Sequence, residues 1–258
     1  MGTHLEGYFD YLGSKTYINK YPQSILSLDE LRGATILEIG AGVFNDLLFL
    51  VNKGITSVDS IMLSEPYIPS FCDGLDKIEN LTDQSYAFAH RYRISYVPFP
   101  NPELRSNTIN FIYANNVLHS LGYSSLSEDL EKRLFAEKGI GDPKRIKQLQ
   151  QPPIAKIKQV LEDAYRVLTD GGIFFGRNLA NFVNEIALRN LKEKEIKTST
   201  DEFALWTAEA VLHGPLIGLS PQEFSQWAVK AGFSKIYTEV EQPDPVKPRI
   251  NFYFRFQK

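Results

Sequence analysis

Glu38-Ile39-Gly40-Ala41-Gly42 sets two glycines where a short apolar run ends. Glycine tolerates a positive φ and lets a ligand come close to the backbone. Where such a turn opens a helix, the first helical turn presents N–H groups without intrahelical partners. That combination suits a nucleotide-like ligand. Glu65 stands 23 residues after Gly42, close to the spacing of about 20 at which a carboxylate accepts from ribose hydroxyls. The turn serves NAD or S-adenosylmethionine. NAD sites take glycine or alanine where Asn45 stands. Glu38, two residues before the first glycine, favours S-adenosylmethionine, because a cationic sulfonium with a free amino group is stabilised by nearby negative charge and a pyrophosphate is not. Histidine ordinarily changes charge near neutral pH, so His119 and His213 are the candidate general bases, His119 first. His4 falls in a terminus expected to fray.

These groups need a scaffold. Short β-branched runs alternate with helical periods, which predicts an α/β fold with a mainly parallel sheet. Expected strands cover Ala34 to Ile39, Ser60 to Ser64, Arg93 to Val97, Ile109 to Ala114, and Gly172 to Phe175. Ile154, Ile157, Leu161, Ala164, Tyr165 and Leu168 recur at helical spacing before the fifth strand, and Gly171 is the expected stop. Ser220 as N-cap, Pro221 at the first position and Glu223 in a capping box start a last helix that Gly232 ends. Strands from Phe233 to Val240 and Arg249 to Phe256 close the chain, joined by a loop with three prolines. Ile250, Phe252, Phe254 and Phe256 alternate with Asn251, Tyr253 and Arg255, giving that strand two faces.

The expected organisation is one domain over residues 1–258, with a helical cap at 1–33 and lid insertions at 122–153 and 180–218. Both insertions follow a strand C-terminus, the edge where ligands bind in open α/β sheets. Tyr8, Phe9, Tyr11, Tyr17 and Tyr21 cluster before the first strand. They are expected to fold over the cofactor and wall the substrate pocket, with Tyr17 or Tyr11 bonding a cofactor carboxylate. With Phe182, Phe203 and Trp206 they favour an apolar or aromatic substrate, or form a box for an amine.

Composition narrows the rest. In 258 residues, 43% are hydrophobic and 23% charged, ordinary globular usage. Lys and Arg number 28 against 31 Asp and Glu, a net charge of −3. That balance argues against DNA as the main partner. The basic stretch from Lys138 to Lys158 reads as a solvated helix face rather than an RNA site. One cysteine, Cys72, supports neither an internal disulfide nor a cysteine zinc site, so no metal is expected and a reducing cytoplasm is the default. No apolar run reaches the length of about 18 residues that spans a membrane, and the first residues lack the features of a signal peptide.

Four segments together resemble the class I S-adenosylmethionine-dependent methyltransferases, especially the small-molecule, ubiquinone-biosynthesis type. They are Ile36 to Gly42; Val97-Pro98-Phe99-Pro100 with Ile109 to Leu121; Asp163 to Gly172; and Ala231-Gly232-Phe233. The resemblance covers roughly Ala34 to Phe256. It implies a Rossmann-like sheet of seven strands, mostly parallel, with helices on both faces and the last strand antiparallel. It implies that Glu38, Gly40 and Gly42 approach the methionine part of the cofactor, Glu65 the ribose, and that Asn115 lies beside the amino group. Three departures stand out. Phe44 replaces a frequent glycine. Arg93 or Ile94 falls where an acidic residue is frequent, leaving adenine to backbone N–H groups or stacking. Asn110 replaces an aspartate in the fourth strand. The implied activity is methyl transfer to oxygen or nitrogen of a small molecule by in-line displacement. Tyr8, Tyr11, Phe182 and Trp206 are the expected substrate contacts. A non-methylating descendant that only binds the cofactor, or an NAD-type oxidoreductase, is the alternative.

Overall fold

The computed structural model describes residues 18–41, 46, 49–50, 53–55, 60–64, 95–96, 99–118, 143–193, 204–205, 208, 211–212 and 218–258; for 19, 95–96 and 143–153 it describes the backbone alone. Strands β1 (Ile36–Ile39), β2 (Ile61–Ser64), β3 (Ser95–Tyr96) and β4 (Ile109–Asn115) precede helix α1 (Pro143–Val167) and strand β5 (Leu168–Val183). Helices α2 (Glu185–Glu193) and α3 (Pro221–Ala231), then strands β6 (Lys235–Val240) and β7 (Arg249–Gln257), complete the order. Short 3-10 turns at Ile18–Lys20 and Leu28–Leu31 lead into β1.

The strand order is β3-β2-β1-β4-β5-β7-β6. The pairs β1–β2, β1–β4 and β2–β3 are parallel. Asn107 and Thr108 donate to the carbonyls of Arg166 and Val167, and Asn116 to that of Arg177, in ascending order on both chains. That is the parallel pattern for β4 and β5. Gly171 and Gly172 exchange bonds with Lys258 while Asn184 donates to Pro248, which makes β7 antiparallel to β5. Glu241 donates to Asn251, closing β6 and β7 as an antiparallel hairpin. The sheet is therefore mixed and mostly parallel, with the antiparallel β7 between β5 and the edge strand β6.

By internal contact the chain divides into two compact units. One holds Met1–Asn115, Asp163–Phe175 and Arg255–Lys258; the other holds Asn116–Glu162 and Gly176–Phe254. The core of the first includes the strands β1, β2 and β4, whose Leu37, Ile39, Leu63, Ile109, Ile112 and Ala114 have no exposed surface. Burial on both faces is the reason these strands read as continuous apolar runs. Asp163 and Arg166 brace the loop before β4. Asp163 accepts from Asn101 N–H at 2.7 Å, and the Arg166 guanidinium reaches the carbonyls of Leu104 and Asn101. The second unit is aromatic at its centre. Phe224 of α3 stands edge-on to Phe252 and Phe254 of β7, at 5.9 and 5.0 Å.

Helix α3 follows its local signals. Ser220 accepts from Glu223 N–H, Pro221 occupies the first position, and Gly232 caps the end at φ 115°. Three expectations change. Strand β5 starts at Leu168 and runs to Val183, so Gly171 does not end a helix. Its φ of +78° makes a local bend that still pairs with Lys258, and the residues beyond Phe175 stay buried enough to continue the strand. Ala180–Val183 therefore belongs to β5 rather than to a lid. Helix α1 begins at Pro143 and continues through Pro152 and Pro153. A proline suits the first helical position, and the two interior prolines remove ladder donors without ending the helix, whose buried stripe of Ile157, Val160, Leu161, Ala164 and Val167 follows. Tyr165 lies outside that stripe, its ring 4.8 Å from Lys258 Nζ. Beyond Glu193, Ala204, Leu205, Ala208, Val211 and Leu212 are helical. Among the described residues no helix is long and apolar enough to cross a membrane, and no acidic, His or Cys group could hold a metal ion.

Candidate functional site

The site is built on the C-terminal ends of β1, β2 and β4. Ile39 stands level with Ser64 on one side and Ala114 on the other. The next described residues on β1 and β4 are therefore Gly40 and Asn115, two of the candidates, at one sheet edge. Gly40 has φ +70° and its N–H donates to the Ser64 carbonyl. A side chain would be strained in that left-handed conformation. Gly42 and Glu65 themselves lie outside the described residues.

Glu38 pairs in register with Tyr113. Side chains of register partners in parallel strands share a face, as do residues two apart on one strand. Glu38, Tyr113 and Asn115 therefore face the same side of the sheet. Glu38 is buried, 7% exposed. Burying a carboxylate is costly without compensating partners. Tyr113 is fully buried and stacks on Phe175 at 5.2 Å. Its hydroxyl donates to Asp46 Oδ2 at 2.7 Å, and Asp46 Oδ1 accepts from Ile18 N–H at 3.1 Å. Burial, then Tyr21, Asp46 and Glu38, holds the Tyr113 phenol well above its usual range. It stays a neutral donor.

Among the described residues, the buried Oδ1 atoms of Asn115 and Asn116 have no hydrogen-bond partner. A buried acceptor without a donor costs about 1–3 kcal/mol. Asn115 Oδ1 on the face that also carries the buried Glu38 suits a positively charged N–H donor. The amino group of an amino-acid-like ligand has that chemistry, so these residues fit the methionine part of S-adenosylmethionine. Asn116 adopts a left-handed φ of 50° and donates its N–H to Arg177 O at 2.7 Å. In the second unit, Arg177 pairs with both Glu241 oxygens, and Asn251 Nδ2 donates to Glu241 at 2.8 Å.

The structure thus brings Glu38, Gly40 and Asn115 together. Phe182 is on β5 and exposed. His119, His213, Arg93, Ile94, Tyr8, Tyr11, Tyr17 and Trp206 lie outside the described residues. Asp46, Tyr113 and Asn116 escaped the sequence reading. The apolar run Leu47-Leu48-Phe49-Leu50 after Asp46 was the available signal that this aspartate is buried.

No protein-family model matches the chain, and no curated protein matches it. Solved structures do. Phosphoethanolamine N-methyltransferase 2 from Haemonchus contortus, in complex with phosphomonomethylethanolamine and S-adenosylhomocysteine, superposes with a TM-score of 0.52 at 10% identity over 88% of this chain. The same enzyme in complex with S-adenosyl-L-methionine gives a TM-score of 0.52 at 9% identity. The chain spans about half of that protein's length, 49% in both structures. A candidate sarcosine dimethylglycine methyltransferase from Galdieria sulphuraria gives a TM-score of 0.50 at 12% identity, over 97% of this chain and 85% of its own. Together with the strand order, these neighbours establish the class I S-adenosylmethionine-dependent methyltransferase fold.

Proposed function

We propose that this protein is an S-adenosylmethionine-dependent methyltransferase that moves a methyl group to oxygen or nitrogen of a small, apolar or aromatic molecule. The observation that carries the reading is the Asn115 Oδ1, unpartnered among the described residues, at the strand edge where Gly40 turns away, on the face that buries Glu38. Bound there, S-adenosylmethionine supplies a methyl carbon activated by its sulfonium. Glu38 and Asn115 hold the ammonium, Gly40 and Gly42 let the backbone come close, and Glu65 accepts from the ribose. Backbone groups at Arg93 and Ile94 border the adenine, and Tyr17 bonds the cofactor carboxylate. Tyr8, Tyr11, Phe182 and Trp206 wall the acceptor pocket. Alignment of the acceptor and exclusion of water supply most of the rate in such a displacement. His119 takes the acceptor's proton, with His213 the second candidate. The single cysteine supports a reducing, cytoplasmic setting.

The test is transfer of label from methyl-labelled S-adenosylmethionine to a panel of small amines, phenols and alcohols. The expected result is a labelled product, with His119→Ala slowing its formation by roughly 10²–10⁴-fold and leaving S-adenosylhomocysteine affinity unchanged. A protein that binds S-adenosylhomocysteine yet labels no member of the panel would contradict methyl transfer.

A further inference from the structure

The function proposed above gives no role to Asp46, the buried carboxylate beside Tyr113. Asp46 is helical, 6% exposed, and four residues beyond Gly42. Its two oxygens serve two different parts of the chain. Oδ1 accepts from Ile18 N–H, 28 residues upstream; Oδ2 accepts from the Tyr113 hydroxyl, 67 residues downstream. Tyr113 is the register partner of Glu38 and stands two residues before Asn115. The segment that Ile18 begins is itself buried: Ile18 is 1% exposed, Ile25 0% and Leu26 4%. Its Tyr21 lies edge-on to the same Tyr113 ring at 5.8 Å, and to Phe175 at 6.0 Å. The N-terminal segment therefore meets the strand edge twice, once through Asp46 and once through the Tyr113 ring.

We infer that Asp46 is a positioning residue that couples the seating of the N-terminal segment to ligand binding at the Glu38–Asn115 edge. A carboxylate accepts with both oxygens and gives charge-assisted bonds. It accepts an N–H at one oxygen and an O–H at the other, whereas an amide has only one acceptor oxygen. A group that orders Glu38 and Asn115 also fixes Tyr113, hence the Asp46 carboxylate, hence Ile18. The inference rests on the reading that this edge holds S-adenosylmethionine.

Hydrogen exchange of peptides spanning Ile18–Leu26 tests it in the full chain, with and without S-adenosylhomocysteine, alongside calorimetric affinity. In the wild type the ligand slows exchange of this segment by about tenfold, the effect of one charge-assisted hydrogen bond held more firmly. Asp46→Asn keeps the size of the side chain but turns one acceptor into a donor. It lowers affinity by about tenfold, and its segment exchanges at one rate whether or not ligand is bound. A purely structural role would raise exchange equally in both states and leave the ligand-dependent slowing intact, and that result overturns the inference. Tyr113→Phe keeps the buried ring and deletes one of the two bonds. Should Asp46→Asn not fold, Tyr113→Phe carries the test, and an unchanged ligand effect in it overturns the coupling. A wild type that binds no S-adenosylhomocysteine overturns the cofactor reading and the coupling with it. A wild type that binds with no change in the segment overturns the coupling alone.

Discussion

Strand β4 carries an asparagine near each end, and the two live differently. Asn110 uses both halves of its amide: Oδ1 accepts from Thr35 N–H at 2.9 Å, and Nδ2 reaches Thr169 Oγ1 at 3.4 Å. Asn115, five residues on, leaves its buried Oδ1 without a donor among the described residues. One strand, one residue type and one kind of burial thus give a satisfied group at one end and an unsatisfied group at the other. Buried polar groups in folded proteins are nearly always paired. The end that departs from this rule is the C-terminal end, where ligands bind in open α/β sheets. The difference teaches that bonds within the fold satisfy the N-terminal end, whereas the C-terminal end keeps an acceptor without a donor among the described residues, as the proposed ligand site requires. Asn110 stands where the resemblance leads one to expect an aspartate, and its bonds to Thr35 and Thr169 explain the substitution as a structural one.

That contrast can be broken. Asn110→Ala strands the Thr35 N–H and should cost about 1–3 kcal/mol of stability, measured by denaturant unfolding, with S-adenosylhomocysteine affinity unchanged. Lost affinity would show that both ends serve the ligand. Asn115→Ala should act the other way. It removes an acceptor that lacks a donor, so the unfolding midpoint should hold or rise. Affinity for S-adenosylhomocysteine should fall about tenfold, near 1.4 kcal/mol, by calorimetry. A large loss of stability with affinity intact would make Asn115 a packing residue. The smallest effect is expected far from either end. Arg32→Ala deletes an ion pair with Asp29 whose side chains are 62% and 86% exposed. Such a pair is worth about 0–1 kcal/mol at most, so melting and affinity should both stay near wild type. A larger change would mean that surface charge contributes to the contrast.

Much of the fold was legible. Helix α3 begins and ends where Ser220, Pro221 and Gly232 put it, because caps act within one turn and leave a local mark. β7 keeps its two faces because alternation is a property of the strand alone. Strand β5 was harder. Gly171-Gly172 reads as punctuation, yet partners on both sides carry the strand through it. The start of α1 was hidden for a related reason: Pro152-Pro153 suggests a break, yet the helix runs through both prolines into the buried apolar stripe that follows. At the site, Glu38 and Gly40 could be read from the end of an apolar run, and Asn115 from the resemblance. The Asp46–Tyr113 bond could not. It joins residues 67 apart, and no periodicity or spacing encodes a hydrogen bond of that reach.

The central claim is that the edge formed by Glu38, Gly40 and Asn115 binds S-adenosylmethionine. A thermal melt with S-adenosylhomocysteine, and with NAD as the control, tests it most directly. Ligand at 100 times its dissociation constant adds about 2.7 kcal/mol. For a chain of this size that moves the melting temperature by roughly 5–10 °C. The account predicts that shift with S-adenosylhomocysteine and none with NAD. No shift with S-adenosylhomocysteine, or an equal one with NAD, would contradict it.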